Sequence, residues 1–361
     1  MTWVEFDKSD TEKVRIGVIG ASFGIHHAQS AVSVPEAQFV AACDIRDSLR
    51  ASIEQMGGTF YTDYSEMLDS ETLDGVVIAL PNHLHAPVSI ECLERGLPVL
   101  LEKPIASTVE EADQIVAATE RTGVPLLVGH HHQLSPFCVR VRRAIANGEL
   151  GNLVGVSILW TIAKPQDYFD APWRTKRATG GGPLLVNTIH DIDDLRYMTQ
   201  LEVTRVYAET SNRTRGFEVE DTASISLQLQ GGALATILIS DCTPSIWSYE
   251  STTAPWENSL FHYSPADCYY FFGTKGALTL PQMQHVYYPD STKQGWQYPV
   301  QIDRLGIKAS NPMRLEMSHF CRVIRNEESP RTTAADARRT LATVLAIVQS
   351  GDIHMPVTLQ Y

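Results

Sequence analysis

Residues 14–24 read VRIGVIGASFG, in which the apolar run Val14–Ile19 leads into closely spaced glycines. A β-branched run of this length is typical of a buried parallel strand. Glycines after such a strand let the chain turn sharply into a helix and bring backbone N–H groups close to a pyrophosphate. The spacing departs from G-x-G-x-x-G, because Ser22 replaces the middle glycine and Gly24 comes one residue early. The stretch Gly17–Gly24 therefore predicts the cofactor turn of a dinucleotide-binding domain.

Short apolar runs alternate with helical stretches from Val14 to about residue 130. The predicted strands are Val14–Ile19, Gln38–Cys43, Gly75–Ala79, Pro98–Leu101 and Pro125–Gly129. The predicted helices are Ile25–Val32, Ser48–Gln55, Tyr64–Leu68, His85–Arg95 and Val109–Thr122. This alternation indicates a parallel sheet with crossover helices. Residues 12–130 are therefore predicted to form an NAD(P)-binding Rossmann domain in an α/β protein.

Strands are grouped together after residue 130. Helices are predicted at Ser135–Asn147, from about His190, at Leu315–Arg325 and at Ala334–Gln349. Strands are predicted at Val154–Ile162, Val203–Glu209, Thr222–Gln228, Ala233–Asp241, Cys268–Phe272, Leu278–Leu280 and His285–Tyr288. The aromatic-rich stretch Ile246–Tyr263 has little periodicity and is predicted to be a long loop. Residues 131–361 are therefore expected to form an α+β domain with a large open, mainly antiparallel sheet, which binds substrate and forms the oligomer.

Composition narrows the class of protein. A chain of 361 residues can bury two cores without disulfides or metals. A formal net charge of -13 argues against nucleic acid or an anionic membrane as a partner. The six cysteines form no C-x-x-C pair, which favours reduced thiols in the cytosol. Residues 1–8 lack the apolar core of a secretory signal, and no apolar run approaches the roughly 18 residues of a membrane helix. The protein is expected to be soluble and cytoplasmic.

Residues that follow predicted strands indicate the cofactor. Asp44 ends the second strand, where a carboxylate accepts both ribose hydroxyls of an adenosine and repels a 2′-phosphate, so NAD is favoured. Arg46 leaves NADP open, because a guanidinium pairs with that phosphate or stacks on adenine. The segments 80–85 and 101–106 also follow strands, and open sheets bind ligands at this edge. The predicted cofactor-binding residues are Gly20, Ser22, Phe23, Gly24, Asp44, Ile45, Arg46, Leu80, Pro81, Asn82, His85, Glu102 and Lys103.

Oxidation of a secondary alcohol needs a base for the hydroxyl proton and a group that stabilises the developing alkoxide. His190 and Lys103 are the predicted catalytic residues for these two tasks. His190 is expected at the start of a helix, with Thr188 and Asp191 spaced as a capping box, so the helix N-terminus keeps the imidazole neutral. Asp191 is then a cap. Asp194, one turn on, either pairs with His190 or faces solvent.

The three adjacent histidines His130–His132 suggest a metal, but successive strand residues point to opposite faces and cannot converge on one ion. No metal site is expected. One of these side chains, His131 or His132, is expected to line the substrate cleft.

The segment 163–174 supplies further candidates for the cleft. Arg174 follows Trp173 and can hold a carboxylate or several hydroxyls. Lys164 and Tyr168 lie on the same predicted loop. The predicted substrate-binding residues are Lys103, His131, Trp173, Arg174, Asn187 and His190.

Four stretches together resemble the glucose-fructose oxidoreductase / inositol dehydrogenase (Gfo/Idh/MocA) family: residues 14–24, the Pro-Asn-x-x-His loop at 81–85, Glu-Lys-Pro at 102–104, and GGGPLLVNTIHD at 180–191. The resemblance spans roughly residues 12–350. It implies an NAD(P)-dependent dehydrogenase of a sugar, polyol or cyclitol, in which Lys103 touches both nicotinamide ribose and substrate. It also implies that Trp173 and Arg174 approach nicotinamide and substrate, and that the open sheets pair in a homodimer or homotetramer.

One position departs from that family. Inositol dehydrogenases carry an aspartate four residues before the histidine, where this chain has Val186. Without that carboxylate, His190 lacks an interaction that could raise its pKa by about 1–3 units and select its tautomer. The neighbouring Asn187 offers a neutral amide to the substrate. Two other functions stay open: an NAD(P)-binding regulator without activity, and a glycosidase that retains NAD and oxidises its substrate transiently.

Overall fold

The computed structural model describes residues 12–257 and 260–360. These residues form two compact units, one of residues up to His131 together with Pro312–Leu341, the other of His132–Asn311 together with the chain from Ala342. The interpretation that residues 1–8 lack a secretory signal concerns a segment outside the described residues. Within the described ranges, no helix combines the length and the apolar character that crossing a membrane requires.

The first unit is built on a six-stranded parallel sheet in the order β3-β2-β1-β4-β5-β6. The strands are β1 (Val14–Ile19), β2 (Ala37–Cys43), β3 (Thr59–Tyr61), β4 (Gly75–Ile78), β5 (Val99–Leu101) and β6 (Leu126–Val128). The strand order reverses between β1 and β4, and open α/β sheets bind ligands at such a point. The predicted Rossmann architecture is confirmed. The sequence missed the three-residue strand β3, which is too short for a periodic pattern.

The helices of this unit are α1 (Ala21–Ser33), α2 (Arg50–Gln55), α3 (Tyr64–Ser70), α4 (His85–Glu94), α5 (Val109–Thr122) and α9 (Pro312–Ile324). Helix α1 begins at Ala21, not at the predicted Ile25, because Gly20 alone makes the turn at φ 90°. A Cβ atom on Gly20 would overlap the carbonyl oxygen of Ala79, so only glycine fits. Gly17 lies inside β1, and the predicted extent of the glycine turn is therefore wrong.

Helix α9 packs into the core of the first unit. Met317, Phe320, Cys321 and Ile324 are buried in one cluster with side chains of β1, β2 and α1. Helix α10 (Ala334–Ile353) contributes its first residues to the first unit and the rest to the second. The domain bounds 12–130 and 131–361 stay predictions, and the division of the structure differs from them at His131 and in residues 312–341.

The second unit contains a nine-stranded sheet in the order β14-β13-β12-β11-β7-β10-β9-β8-β15. Strands β7 and β10 run parallel and the other neighbours run antiparallel. The strands are β7 (Leu153–Thr161), β8 (Val203–Ser211), β9 (Thr222–Leu229), β10 (Leu234–Ser240), β11 (Tyr269–Gly273), β12 (Gly276–Leu280), β13 (Gln284–Tyr287), β14 (Gln301–Arg304) and β15 (Val357–Thr358). The predicted mainly antiparallel sheet is confirmed.

One face of this sheet carries the core. Ile225, Ile237 and Ile239 are buried, while Leu234 and Leu238 on the opposite face are exposed, as the two-residue period of a strand requires. Helices α6 (Pro136–Ala146) and α7 (Ile189–Thr199) supply further side chains to the core. The expected dimer or tetramer stays a prediction.

The stretch Ile246–Tyr263 was predicted to be a loop, and this is wrong for its centre, which forms helix α8 (Tyr249–Thr253). Ser248 caps the helix by accepting a hydrogen bond from the Ser251 backbone N–H. Tyr249 is buried among residues distant in sequence. A helix this short depends on those tertiary contacts, so local periodicity does not predict it.

We expect Phe320→Ala to lower the free energy of unfolding by about 3–5 kcal/mol, because a large, fully buried side chain is lost from the first unit's core. Urea unfolding monitored by far-UV circular dichroism measures the change. Ser329→Ala, an exposed position after the same helix, is the control. Equal stability of the two variants would show that α9 does not support this core.

Candidate active site

Asp44 lies at the carboxyl end of β2 and is held by Arg46. The Arg46 Nε and Nη2 atoms donate to Asp44 Oδ1 and Oδ2, each at 2.9 Å, and the Arg46 backbone N–H donates to Oδ1 at 3.0 Å. Burial acts to raise the pKa of Asp44, but the hydrogen bonds from Arg46 outweigh it and the pKa lies below its usual value. The carboxylate is therefore ionised and can accept two hydroxyl donors in place of the half-exposed Arg46.

Other predicted cofactor residues surround the same sheet edge. Phe23 and Ile45 are exposed, Ile45 by 89%, which leaves their apolar side chains open to a ring system. Pro81 is exposed and Leu80 and Asn82 are half-buried, directly after β4. Gly24 packs on β1, since a Cβ there would lie 2.6 Å from Val18 Cγ1. The cofactor contacts themselves stay predictions.

Glu102, at the end of β5, is buried and holds the backbone of Lys103. Its Oε2 accepts from the Lys103 N–H at 3.1 Å, and its Oε1 lies 2.6 Å from His27 Nε2. Burial acts to raise the pKa of Glu102, but His27 and Lys103 outweigh it, so the pKa is lowered. Sequence reasoning missed His27. A signal was present, because His27 shares the buried face of α1 with Gly24, Ala28 and Ala31, at the three- and four-residue spacing of a helix.

His85 connects the loop after β4 to the loop after β5. Its Nδ1 lies 2.8 Å from the Pro104 carbonyl oxygen and its Nε2 lies 2.8 Å from that of Leu80. The side chain is fully buried, and burial lowers its pKa. In the structure, His85 holds the backbone of both loops. Direct contact between His85 and a cofactor stays a prediction.

In the second unit, three glycines lead into the helix that carries His190. Gly182 adopts φ 89°, and a Cβ there would lie 2.5 Å from Glu220 Oε1. The same oxygen accepts from the Leu184 N–H at 2.9 Å. Residues Leu184–Thr188 form a π-helical turn that continues directly into α7. Such turns occur frequently at functional sites.

The predicted capping box is wrong. Thr188 has helical φ/ψ angles and its side chain makes no capping hydrogen bond, because the chain is already helical from Leu184. His190 is therefore not at a free helix N-terminus, and the argument that a helix dipole keeps it neutral does not apply. Asp191 is not a cap either, since it is buried and accepts from the Tyr269 hydroxyl at 2.5 Å.

Asp194 takes neither of its two predicted roles. It is buried, and its Oδ2 lies 2.9 Å from His132 Nδ1 and 3.2 Å from the Tyr269 hydroxyl. The His132 ring stacks on His190 at 4.7 Å between centroids and on Tyr249 at 3.9 Å. Burial acts to lower the pKa of His132, but Asp194 outweighs it and raises the pKa to about 9. His132 is thus an imidazolium at neutral pH.

The structure brings several predicted substrate residues together. Lys164 Nζ donates to Asn187 Oδ1 at 2.7 Å and lies 4.6 Å from the centre of the Tyr168 ring. Arg174 also stacks on Tyr168, with Cζ 3.9 Å from the centre of the ring. Trp173 is 42% exposed. We call these side chains the Lys164 cluster: Lys164, Tyr168, Trp173, Arg174 and Asn187. The cluster combines two cations, Lys164 and Arg174, with the amide of Asn187.

Val186 and His131 are the remaining positions that the sequence singled out near the substrate. Val186 donates its backbone N–H to the Gly182 carbonyl at 3.1 Å and brings no carboxylate to the π-helical turn. His131 begins the short 3-10 turn His131–Leu134 and is half-buried, and its contact with substrate stays a prediction.

The parallel sheet, its glycine turn and the match of residues 14–130 to an NAD-binding Rossmann family define an NAD-binding oxidoreductase. Residues 14–130 match the family described as "Oxidoreductase family, NAD-binding Rossmann fold", and residues 138–279 match "GFO/IDH/MocA C-terminal domain". The chain belongs to the Gfo/Idh/MocA oxidoreductase family. The predictions of family, enzyme class and NAD as cofactor are confirmed.

Individual relatives agree with this assignment. The rhizopine catabolism protein MocA of Rhizobium meliloti is 29% identical over 70% of this chain and 80% of its own length. Inositol 2-dehydrogenase of Rubrobacter xylanophilus is 32% identical over 64% of this chain and 65% of its own length. The crystal structure of the WlbA dehydrogenase from Bordetella pertussis, in complex with NADH and UDP-GlcNAcA, shares the fold with a TM-score of 0.77 at 24% identity, over 97% of this chain and 100% of that chain.

A buried carboxyl group near the histidine stack was not anticipated from the sequence. Glu257 is 9% exposed, and its Oε1 accepts from the Ser135 hydroxyl at 2.5 Å. Burial raises the pKa of Glu257 to about 7, although His132 and Ser135 act in the opposite direction. Its partner Ser135 is distant in sequence, so no local pattern indicated this pair.

Glu257 predicts how stability depends on pH. The folded protein retains this proton up to about pH 7, whereas an unfolded glutamate loses it near pH 4.3, so the wild type loses stability as pH rises through this window. Glu257→Gln keeps an acceptor for Ser135 and removes the ionisation. We expect the difference in melting temperature, variant minus wild type, to become more positive as pH rises from 5 to 8. Glu327→Gln, at an exposed position, is the control, and parallel curves for Glu257→Gln and wild type would contradict the assignment.

Proposed function

We propose that this protein oxidises a secondary alcohol of a polyol, cyclitol or sugar, with NAD as hydride acceptor. The observation that carries the proposal is the position of Lys103 at the carboxyl end of β5, where Glu102 and His27 hold its backbone. A lysine at this edge of a Rossmann sheet lies where ligands bind. The name of the Rubrobacter relative, inositol 2-dehydrogenase, supports a cyclitol or a similar compound.

The residues present fit NAD. Gly20 turns the chain at φ 90° so that α1 begins directly after it, and the backbone N–H groups at the start of this helix can bind a pyrophosphate. Asp44 is ionised and offers two oxygens to the adenosine ribose. NAD bound at these residues would supply the hydride acceptor for the carbinol carbon.

His190 and Lys103 divide the remaining chemistry. His190 takes the hydroxyl proton at a ring nitrogen, so the carbon can release its hydride as the carbonyl forms. Lys103 places an ammonium beside the substrate oxygen and stabilises its negative charge in the transition state. The Lys164 cluster provides donors for further substrate hydroxyls through Lys164 and Arg174, and Asn187 adds an amide.

Replacement of His190 tests the reaction. We expect His190→Ala to lower kcat by about 10²–10⁴-fold with the Kd for NAD unchanged, since only proton transfer is removed. Lys103→Met should also lower kcat by at least about 10²-fold, because the alkoxide loses its charge partner. Turnover is followed as NADH absorbance at 340 nm with the best substrate from a thermal-shift panel of inositols, sugars and polyols. His354→Ala, at an exposed position, should retain full turnover.

Turnover, glycoside and thermal-shift assays together distinguish the proposed function from the two others. Wild-type turnover in His190→Ala would exclude this histidine as the base. Release of an aglycone from a chromogenic glycoside without net NADH would identify a glycosidase instead. Stabilisation by NAD without turnover of any alcohol or ketone would favour a regulator.

Asp44 tests the choice of cofactor. We expect Asp44→Ser to weaken NAD binding by about 10–100-fold, because two charge-assisted hydrogen bonds to ribose hydroxyls are lost. NADP binding should strengthen, because the released Arg46 can pair with the 2′-phosphate. Fluorescence titration of NADH and NADPH measures both. Asp47→Ser, three residues along on the surface, should change neither, and an unaltered NADH Kd in Asp44→Ser would contradict the role of Asp44.

A further inference from the structure

This inference rests on the proposed function, in which His190 is the base. Val186 stands four residues before His190, so this position offers no carboxylate to the histidine ring. The structure leaves no helix N-terminus at His190 to control its charge, since the π-helical turn precedes it. The groups in contact with the His190 ring therefore decide its orientation and protonation.

His132, which pairs with Asp194, is one such contact of His190. The two rings of His132 and His190 lie face to face, 4.7 Å apart and 26° from parallel. Two other contacts hold the His132 ring in place. Its Nδ1 lies 2.9 Å from Asp194 Oδ2, and its centroid lies 3.9 Å from that of the Tyr249 ring. His132 and Asp194 are 5% and 0% exposed, so their charges interact without screening by bulk water.

We propose that the His132–Asp194 ion pair replaces the missing carboxylate: His132 is a positioning residue that aligns the His190 ring by stacking and keeps it neutral through its own positive charge. The sign is opposite to that of a carboxylate at residue 186. A carboxylate stabilises a protonated histidine, whereas a stacked imidazolium destabilises it. A histidine with its pKa lowered in this way stays neutral, and so able to accept the hydroxyl proton, down to a lower pH.

Other ionisable groups surround the stack. The Tyr269 hydroxyl lies 2.5 Å from Asp191 Oδ1 and 3.2 Å from Asp194 Oδ2, and the carboxyl groups of Glu250 and Glu257 act to raise the pKa of His132. The titratable groups that face the pair are Asp191 and Asp194 from α7, Tyr249 and Glu250 from α8, Glu257 after α8, Tyr269 from β11 and Cys138 from α6. Of these groups, Asp194, Glu257 and Glu250 favour a charged His132, and the His132 ring is the group that stacks on His190.

Two variants separate the charge from the ring. Asp194→Asn retains an acceptor for His132 Nδ1 and leaves the stack intact, but a buried His132 without its carboxylate becomes neutral. His132→Asn places an amide nitrogen where Nδ1 was and removes both the ring and the charge. We expect the pKa of His190 to rise by about one unit in both variants. The kcat of His132→Asn alone should also fall at high pH, because the ring is no longer aligned.

Two readouts measure the effect. The first is an NMR titration of the histidine Cε1–H signals, in which the His190 resonance is assigned by its loss in His190→Gln. The second is the acid limb of the kcat/KM profile, which reports the base in the free enzyme and should move to higher pH by the same amount. The NMR titration needs no substrate, so it does not depend on the proposed reaction.

Asp193→Asn is the matched control, since Asp193 is a buried carboxylate one residue earlier that accepts from Gln133 Nε2 at 3.0 Å. It should leave the His190 titration unchanged. An unchanged or lowered pKa of His190 in Asp194→Asn and His132→Asn, or an equal rise in Asp193→Asn, would overturn the proposal. If His190 titrates as expected but no alcohol is oxidised, the proposed function fails while the electrostatic coupling stands.

Discussion

The left-handed turn at Gly20 is the constraint on which the nucleotide-binding unit depends. β1 and β4 are neighbours in the sheet, and the backbone after β1 passes so close to Ala79, after β4, that no side chain fits. This approach lets α1 begin one residue after Gly20 and brings Gly24 onto Val18. Helix α1 in turn carries His27 to Glu102, so the backbone of Lys103 is held through the same helix that the turn starts.

The second unit is organised by buried charge. His132, Asp191 and Asp194 are enclosed in the core together with Tyr249 and Tyr269. Burial of ionised groups is costly unless they are paired and hydrogen-bonded. Here one oxygen of Asp191 accepts from the Tyr269 hydroxyl, and one oxygen of Asp194 lies 2.9 Å from His132 Nδ1. Such a network stabilises one arrangement of α7 relative to the sheet, and α7 carries His190.

The two units differ in how their sites are specified. In the first, backbone and short local contacts place Asp44 and Lys103 at strand ends, and these positions follow from the alternation of strands and helices. In the second, the groups around His132 come from segments distant from it in sequence: Asp194 and His190 lie on α7 and Tyr249 lies on α8. The Lys164 cluster likewise joins a loop after β7 to the π-helical turn.

The sequence by itself determined the parallel sheet, the open second sheet, the family and the ends of strands where Asp44 and Lys103 lie. These features depend on periodicity, glycines and strand ends, which are local properties of the chain. Only the tertiary structure decided that Gly20 alone makes the turn, that residues 312–341 pack with the first unit, and that α8 forms within an aperiodic stretch. It also decided that Asp194 binds His132 and not His190. Partners separated by tens of residues leave no local pattern, because their contact depends on how packed helices and strands meet in space.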